Sequence, residues 1–240
     1  MSKLNKNWKE FLGEQTRDVD LESFEIKDTL SPAIWLDSAV LKPSVASRLM
    51  AIAQQFLEEL DVGVLMVRDI TITGSLANFN WSKYSDIDLH IILKYKSVDK
   101  NIDLVKEMFM NKIANWNRAH DIHINGHEVE IYVQDSEEPH HSTGVYSVLA
   151  NEWIAYPVKF EYKVDFSNVE MKANKLMDMI DVADKLKSNN KFEEAYHFSK
   201  KLKKKIRKFR KCGLETGGEY SPENLAFKVL RNTKVIETLI

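Results

Sequence analysis

Two aspartates one residue apart, Asp86 and Asp88, begin an apolar run whose composition predicts a β-strand. Alternate side chains of a strand point to the same face, so the two carboxylates share one face. Like charges this close repel each other unless a cation neutralises them, and carboxylate oxygens suit Mg²⁺. The pair therefore predicts a divalent metal site. Glu130, set between two apolar residues further along the chain, is the natural third acid.

A Gly-Ser pair, Gly74 and Ser75, stands ahead of these aspartates and follows the β-branched stretch 69–73. Glycine lets the backbone approach a ligand closely, and we expect the pair to open a short helix whose N–H groups bind an anion. Taken alone, Gly-Ser is better explained as a turn or cap, and the Asp pair fits a solvated strand start equally well. Their joint spacing favours metal-assisted transfer of a nucleotidyl group.

These motifs resemble the signature of the DNA polymerase β type nucleotidyltransferase superfamily over roughly residues 44–134. The residues that carry the resemblance are Gly74-Ser75, a ten-residue spacer, Asp86-Ile87-Asp88-Leu89 and the later Val129-Glu130-Ile131. The stretches WNRAHDIHINGHEVEIYVQD and SPENLAFKVLR also resemble small nucleotidyltransferase-like proteins found in tailed bacteriophage genomes. The substrates of those proteins do not follow from the resemblance.

The resemblance implies a nucleoside triphosphate (NTP) substrate and a role for each part of the motif. Gly74 and Ser75 would contact the triphosphate, and Lys83 in the spacer is a further nucleotide-binding candidate. The spacer obeys no strict rule in this superfamily, so its composition neither strengthens nor weakens the match.

The same resemblance assigns the three acids to metal binding and catalysis. Asp86 and Asp88 would hold two Mg²⁺ ions, with Mn²⁺ as the alternative cation. Glu130 would ligate one of them and orient or deprotonate an acceptor hydroxyl. The implied products are a nucleotidylated acceptor and pyrophosphate.

An Asn-Gly pair between alternating runs predicts a two-residue β-hairpin within residues 121–134. The register that follows pairs Ile124 with His127, His123 with Glu128, Ile122 with Val129, and Asp121 with Glu130. Asp121 is therefore a candidate for an additional acid beside the metal ligands. The same register puts His123 and His127 on opposite faces, which disfavours a shared zinc ion.

The elements around these motifs predict an α+β fold. We expect helices over 44–60 and 99–116, strands over 69–73 and 86–93, and a half-exposed edge strand over 158–166. Three helices should follow, the first capped by Ser167 with Glu170, the second over 191–212 and stopped at Gly213, and the third from Ser221 to the C-terminus.

The predicted organisation is an N-terminal arm (1–40), a nucleotidyltransferase-like core (41–166) and a C-terminal helical domain (167–240). The core should hold a small mixed or antiparallel sheet flanked by helices. The whole chain has 240 residues, of which 44% are hydrophobic and 29% charged, and this composition is typical of a globular protein. No apolar run is long enough to cross a bilayer. We expect a cytoplasmic protein, in the host cytoplasm if it is encoded by a phage.

One segment, residues 200–211, holds nine Lys or Arg residues and no acid, although the net charge of the chain is −2. Its apolar residues recur at helical spacing, so it fits a packed helix with solvated charged faces as well as a surface for phosphates. The first candidates for phosphate or nucleic-acid contact are Lys203, Lys204, Arg207 and Lys208.

The basic segment favours an RNA end as the acceptor, while a protein, a nucleotide or a small molecule remains open. The alternative function is a non-catalytic nucleic-acid-binding protein that uses the basic helix 200–211. Neither the base of the NTP nor the oligomeric state follows from the sequence.

Overall fold

The structure is a computed structural model and describes residues 17, 19–60, 67–140, 142–159 and 163–239. The chain divides into two compact units. Residues 23–160 form an α+β unit, and residues 161–240 form a helical unit together with the segment before residue 23.

A six-stranded mixed sheet forms the centre of the α+β unit. Its strands are β1 (Val67–Thr73), β2 (Ile87–Leu93), β3 (His123–Ile124), β4 (His127–Asp135), β5 (Val145–Ser147) and β6 (Glu152–Ala155). Their order across the sheet is β3, β4, β2, β1, β5, β6. Strands β2 and β4 are parallel, and the other neighbours are antiparallel. The predicted mixed sheet is confirmed.

Two helices, α1 (Pro43–Leu60) and α2 (Ile102–Ala119), contribute their apolar stripes to the core that the sheet helps to form. Seven apolar residues of α1 recur at helical spacing, and all of them are buried: Val45, Leu49, Ile52, Ala53, Phe56, Leu57 and Leu60. Helix α2 begins three residues later than predicted because Asn101 caps it, accepting a hydrogen bond from the backbone N–H of Leu104.

Residues 23–40, predicted as part of an arm, contribute to the core of the α+β unit. Ile34 and Trp35 are buried there. The indole of Trp35 donates a 2.7 Å hydrogen bond to the Leu76 carbonyl and stacks on Trp153. This indole ties the segment to the turn that follows β1.

The helical unit contains α3 (Phe166–Ser188), α4 (Phe192–Gly217) and α5 (Pro222–Asn232), which pack against one another in all three pairings. Ser221 caps α5 as predicted. Two predicted termini are wrong. Helix α3 is capped by Asp165 instead of Ser167, and α5 ends at Asn232, after which a short 3-10 turn, Val235–Thr238, follows.

The predicted stop of α4 at Gly213 is also wrong, because Gly213 is a buried residue of the helix interior. An ideal Cβ at this position would lie 2.5 Å from the Glu223 Cβ and 2.7 Å from the Ser221 Oγ. The absence of a side chain lets α4 approach the start of α5. Gly213 is therefore a packing residue, and α4 ends at Gly217, with Gly218, whose φ is 69°, as its C-cap.

The predicted edge strand over 158–166 is wrong where the structure describes it. Val158, Lys159 and residues 163–165 are not in a strand, and residues 160–162 lie outside the described part. Alternation of apolar and charged residues permits a strand but supplies no partner for it. The strands that extend the sheet beyond β1 are β5 and β6. In the described part of the chain, no helix combines the length and apolar character needed to span a membrane.

Candidate functional site

The site lies on the face of the sheet opposite the buried apolar residues of β2 and β4. Both strands alternate between buried and half-buried positions, with Asp86, Asp88 and Glu130 at half-buried positions and Ile87, Val129 and Ile131 inside. This is the period-2 pattern of a strand with one face in the core. The three acids therefore share one face.

The parallel register of β2 and β4 sets Asp88 opposite Glu130, and the antiparallel register of β1 and β2 sets Thr73 opposite Asp88. Asp86 precedes β2 on the same side of the chain as Asp88. The three acids lie near the end of β1 and the start of β2. The backbone thus brings together the three acids that the sequence singles out, and one tight turn adjoins them.

Gly74 forms that turn and shapes the position of Asp88. Its φ of 75° belongs to the left-handed region that favours glycine. An ideal Cβ at residue 74 would lie 1.7 Å from Asp88 Oδ2 and 2.8 Å from Asp88 Cγ. The Asp88 carboxylate therefore packs directly against the bare backbone of the turn.

The turn after Gly74 is a three-residue 3-10 helix, Ser75–Ala77, which is too short to provide the helix N-terminal anion site that we expected. The Ser75 hydroxyl donates a 2.8 Å hydrogen bond to the Ser85 hydroxyl, which itself accepts from the backbone N–H of Ser82. Ser75 thus joins the two ends of the spacer. Lys83, at the exposed tip of the spacer, has its ammonium 4.9 Å from the centre of the Tyr84 ring.

Negative charge accumulates at this site. The pKa of Glu128 is raised by its partial burial, then by the charges of Asp86 and Glu130, and more weakly by Asp121. The pKa of Tyr132 is raised by burial, then by its hydrogen bond to Glu130, and further by the charges of Asp88, Glu130 and Asp86. Carboxylates gathered in one place favour either a proton or a cation. Glu128 is a fourth carboxyl group of this face.

Tyr132 lies two residues after Glu130 on the same face of β4, and its hydroxyl donates a 2.5 Å hydrogen bond to Glu130 Oε2. A hydrogen bond to a carboxylate is short and stronger than one between neutral groups. Tyr132 therefore fixes one oxygen of Glu130 and leaves Oε1 for another partner.

His90 continues the row of Asp86 and Asp88 along β2, and sequence reasoning missed it. Its Nε2 is 3.0 Å from the Thr73 hydroxyl, its Nδ1 is 3.3 Å from Gln134 Oε1, and its ring stacks on Tyr132. Burial lowers the pKa of His90 to about 4, although the Gln134 hydrogen bond partly opposes this effect. The imidazole is therefore neutral at pH 7.

The tautomer of His90 follows from its partners. An amide oxygen can only accept, so Nδ1 carries the proton and donates to Gln134, and the Thr73 hydroxyl donates to Nε2.

One continuous set of contacts crosses three strands and joins Thr73, His90, Tyr132 and Glu130. Extending the alternation of Asp86 and Asp88 by one more step would have found His90 from the sequence.

The chemistry of the donors suits a hard divalent cation, because the three acids supply carboxylate oxygens on one face of the sheet. Within the residues that the structure describes, however, no three His, Cys, Asp or Glu side chains are already gathered closely enough to hold a metal. The Tyr132 hydroxyl already occupies Glu130 Oε2. A cation held by all three acids would therefore require these side chains to move closer together.

The hairpin that carries Glu130 has the predicted register at its turn. Ile124 pairs with His127, His123 pairs with Glu128, and the backbone N–H of Val129 donates to the Ile122 carbonyl. The predicted pairing of Asp121 with Glu130 is not formed, because β3 is only two residues long.

The side chains near this hairpin end have partners of their own. Asp121 has 86% of its side chain exposed and is 3.2 Å from His123 Nδ1. Its charge helps to raise the pKa of Glu128. His127 is buried, and its ring Nδ1 is 2.7 Å from the Ser85 carbonyl. The two histidines therefore lie on opposite faces, as predicted.

The four basic candidates lie on α4 in the helical unit. Lys204, Arg207 and Lys208 are exposed, and Lys203 is half-buried. The apolar stripe that includes Leu202 and Ile206 is buried, so the segment is a packed helix with charged outer faces.

No protein-family model matches the chain, and no curated protein matches it. Among solved structures, it is similar to the STING-associated CdnE c-di-GMP synthase from Capnocytophaga granulosa, with 16% identity over 83% of each chain and a TM-score of 0.21. A TM-score this low does not establish a shared fold, so neither fold nor activity is inferred from that protein.

Proposed function

We propose that the α+β unit is a metal-dependent nucleotidyltransferase of the DNA polymerase β type. It would transfer a nucleoside monophosphate from an NTP to an acceptor, with release of pyrophosphate. The observation that carries the proposal is the register of β2 and β4, which sets Asp88 directly opposite Glu130 with Asp86 on the same face. The motif resemblance and the close packing of Asp88 on Gly74 support it.

In this proposal Asp86 and Asp88 hold Mg²⁺ or Mn²⁺, and Glu130 completes the set. A bound divalent cation would neutralise the triphosphate and stabilise the attacking and leaving oxygens. Gly74 leaves room for the Asp88 carboxylate, which occupies the space that a side chain at residue 74 would need. Gly74, Ser75 and Lys83 are the proposed contacts of the triphosphate.

Glu130 is also the proposed acceptor of the proton from the attacking hydroxyl. Tyr132 holds its Oε2, so Oε1 is the oxygen that can face the acceptor. The bond that forms joins the acceptor oxygen to the α-phosphorus, and the bond that breaks releases pyrophosphate. His90, neutral and fixed by Thr73 and Gln134, supports Tyr132 by stacking and adds no charge to the site.

The RNA end is the acceptor that the basic residues of α4 favour, since nine cations within twelve residues suit a phosphate backbone. A protein side chain, a nucleotide or a small molecule would be recognised by other means. The alternative is a nucleic-acid-binding protein without catalysis, for which α4 would be the working surface.

Alpha-labelled NTPs, Mg²⁺ and extracted RNA or lysate test the proposal. The wild-type protein should transfer label and release pyrophosphate, and Asp86→Asn/Asp88→Asn should lose both activities. The matched control Asp103→Asn changes an exposed aspartate of α2 and should behave as wild type. Equal behaviour of wild type and the double variant would exclude the enzymatic function. Salt-sensitive RNA binding that survives in the double variant, without any transfer, would favour the alternative.

A further inference from the structure

A groove in the helical unit combines cationic and apolar walls. It has a volume of about 500 Å³, within the usual range for small-molecule sites. Its cationic wall is formed by residues of α4: Lys203, Arg207, Arg210 and Lys211. Phe227 of α5 and Ile236 of the last 3-10 turn provide much of the apolar wall.

The cations of this groove are only partly balanced by acids. Lys211 has Glu215 at 3.6 Å, one turn along the helix. Across the described ranges of the chain, neither Lys203 nor Arg207 has a carboxylate within ion-pair distance. Several cations held together in a concave surface repel one another and create a positive potential that an anion relieves.

Arg210 is held in place inside the groove by contacts with two residues of α5. Its Nε donates a 3.1 Å hydrogen bond to Asn224 Oδ1, and its guanidinium lies 4.4 Å from the centre of the Phe227 ring. The pKa of Arg210 is lowered by burial and then by the charge of Arg231, while the charge of Glu219 opposes the shift. The Arg210 guanidinium thus places a positive charge beside an aromatic ring.

We propose that this groove, formed by Lys203, Arg207, Arg210, Lys211 and Phe227, binds a nucleotide, with its phosphate on the lysine and arginine side chains and its base against the Arg210–Phe227 pair. Guanidinium and ammonium groups make strong charge-assisted hydrogen bonds to phosphate. Bases stack on aromatic rings and arginine planes whatever their sequence. The charge and shape of the groove thus match both halves of a nucleotide.

The basic residues of α4 include one pair inside the groove and one pair outside it, and these two pairs allow a matched comparison of variants. Arg207 and Lys211 line the groove, whereas Lys204 and Lys208 are exposed on the same helix and do not line it. Nucleotide binding in the groove depends on Arg207 and Lys211. Binding to a diffuse positive surface would instead weaken equally when either pair is neutralised.

Fluorescence anisotropy of a fluorescent adenosine monophosphate analogue, measured on the full chain in EDTA, tests the site without any transfer reaction. Arg207→Gln/Lys211→Gln should weaken binding roughly tenfold or more, because each charge-assisted bond contributes about that factor. Lys204→Gln/Lys208→Gln should change it less than about twofold. Adenosine, which lacks the phosphate, should displace the probe at least roughly tenfold less well than the monophosphate.

The phosphate group that binds in the groove can belong to a free nucleotide or to a 5′-phosphorylated RNA end. Displacement by unlabelled adenosine monophosphate, or by a short 5′-phosphorylated oligoribonucleotide, supports the site and identifies its source. No binding by wild type, no displacement by either competitor, equal loss in the two paired variants, or equal displacement by adenosine would each overturn the proposal. Because the assay needs neither Mg²⁺ nor the carboxylates, its outcome is independent of the proposed transferase activity.

Discussion

The carboxylate of Asp88 occupies the space that a side chain at residue 74 would need. An ideal Cβ at residue 74 would lie 1.7 Å from Asp88 Oδ2, while the positive φ of Gly74 independently disfavours any other residue. The glycine of the Gly-Ser motif therefore acts on the acid pair directly. This contact links two halves of the motif that are separated by a ten-residue spacer.

Gly74→Ala should lose divalent-metal binding and destabilise the protein more than Gly126→Ala does. Both glycines have positive φ, 75° and 90°, but a Cβ at Gly126 meets nothing within 4 Å. Both substitutions therefore incur backbone strain, and only Gly74→Ala displaces Asp88. Urea unfolding and Mn²⁺ titration measure the two effects. Equal losses in both variants would mean that strain alone matters.

Tyr132→Phe should reduce nucleotidyl transfer roughly tenfold, since it removes the hydrogen bond that orients Glu130. Tyr95→Phe is the matched control, because the Tyr95 hydroxyl donates to the Val133 carbonyl and makes no contact with the acids. Each variant should lose about 1 kcal/mol of stability. If transfer rates fall equally in both, Tyr132 has only a structural role.

His90 should make stability depend on pH. Its folded pKa of about 4 lies below the ordinary 6.5, so the unfolded chain binds the proton more tightly. The stability that this group contributes is fully present above pH 6.5 and is lost as the pH falls towards 4. At about pH 5 the loss is about 2 kcal/mol relative to neutral pH.

His90→Gln removes this titration, so the variant should lose about 2 kcal/mol less than wild type when unfolding in urea is compared at about pH 7.5 and about pH 5 in EDTA. An identical pH dependence in the two proteins would contradict a buried neutral imidazole at this position.

Gly213→Ala should destabilise the helical unit by about 1–3 kcal/mol, even though alanine is the better helix former. The added Cβ would lie 2.5 Å from the Glu223 Cβ, so α4 and α5 must separate. Thermal unfolding measures the effect, with the exposed Lys204→Ala as a control that should change stability by less than about 0.5 kcal/mol. A stabilised Gly213→Ala variant would show that the helices are not closely packed there.

Local patterns predicted those parts of the fold that local forces determine. The apolar period of α1, the Asn125-Gly126 turn and the alternation along β2 each need only neighbouring residues. The parallel pairing of β2 with β4 depends on distant segments, so the contacts of His90 with Tyr132 and Gln134 could not be read from either strand alone. Gly213 was misread because the close approach of α5 is a tertiary effect.

Titration with Mn²⁺ in the presence of a non-hydrolysable NTP, followed by electron paramagnetic resonance, tests the metal site most directly. Wild type should bind Mn²⁺ together with the NTP, and Asp88→Asn and Glu130→Gln should each weaken that binding at least roughly tenfold. Asp103→Asn should bind as wild type does. Mn²⁺ affinity that is unchanged in both site variants would contradict a metal site shared by β2 and β4.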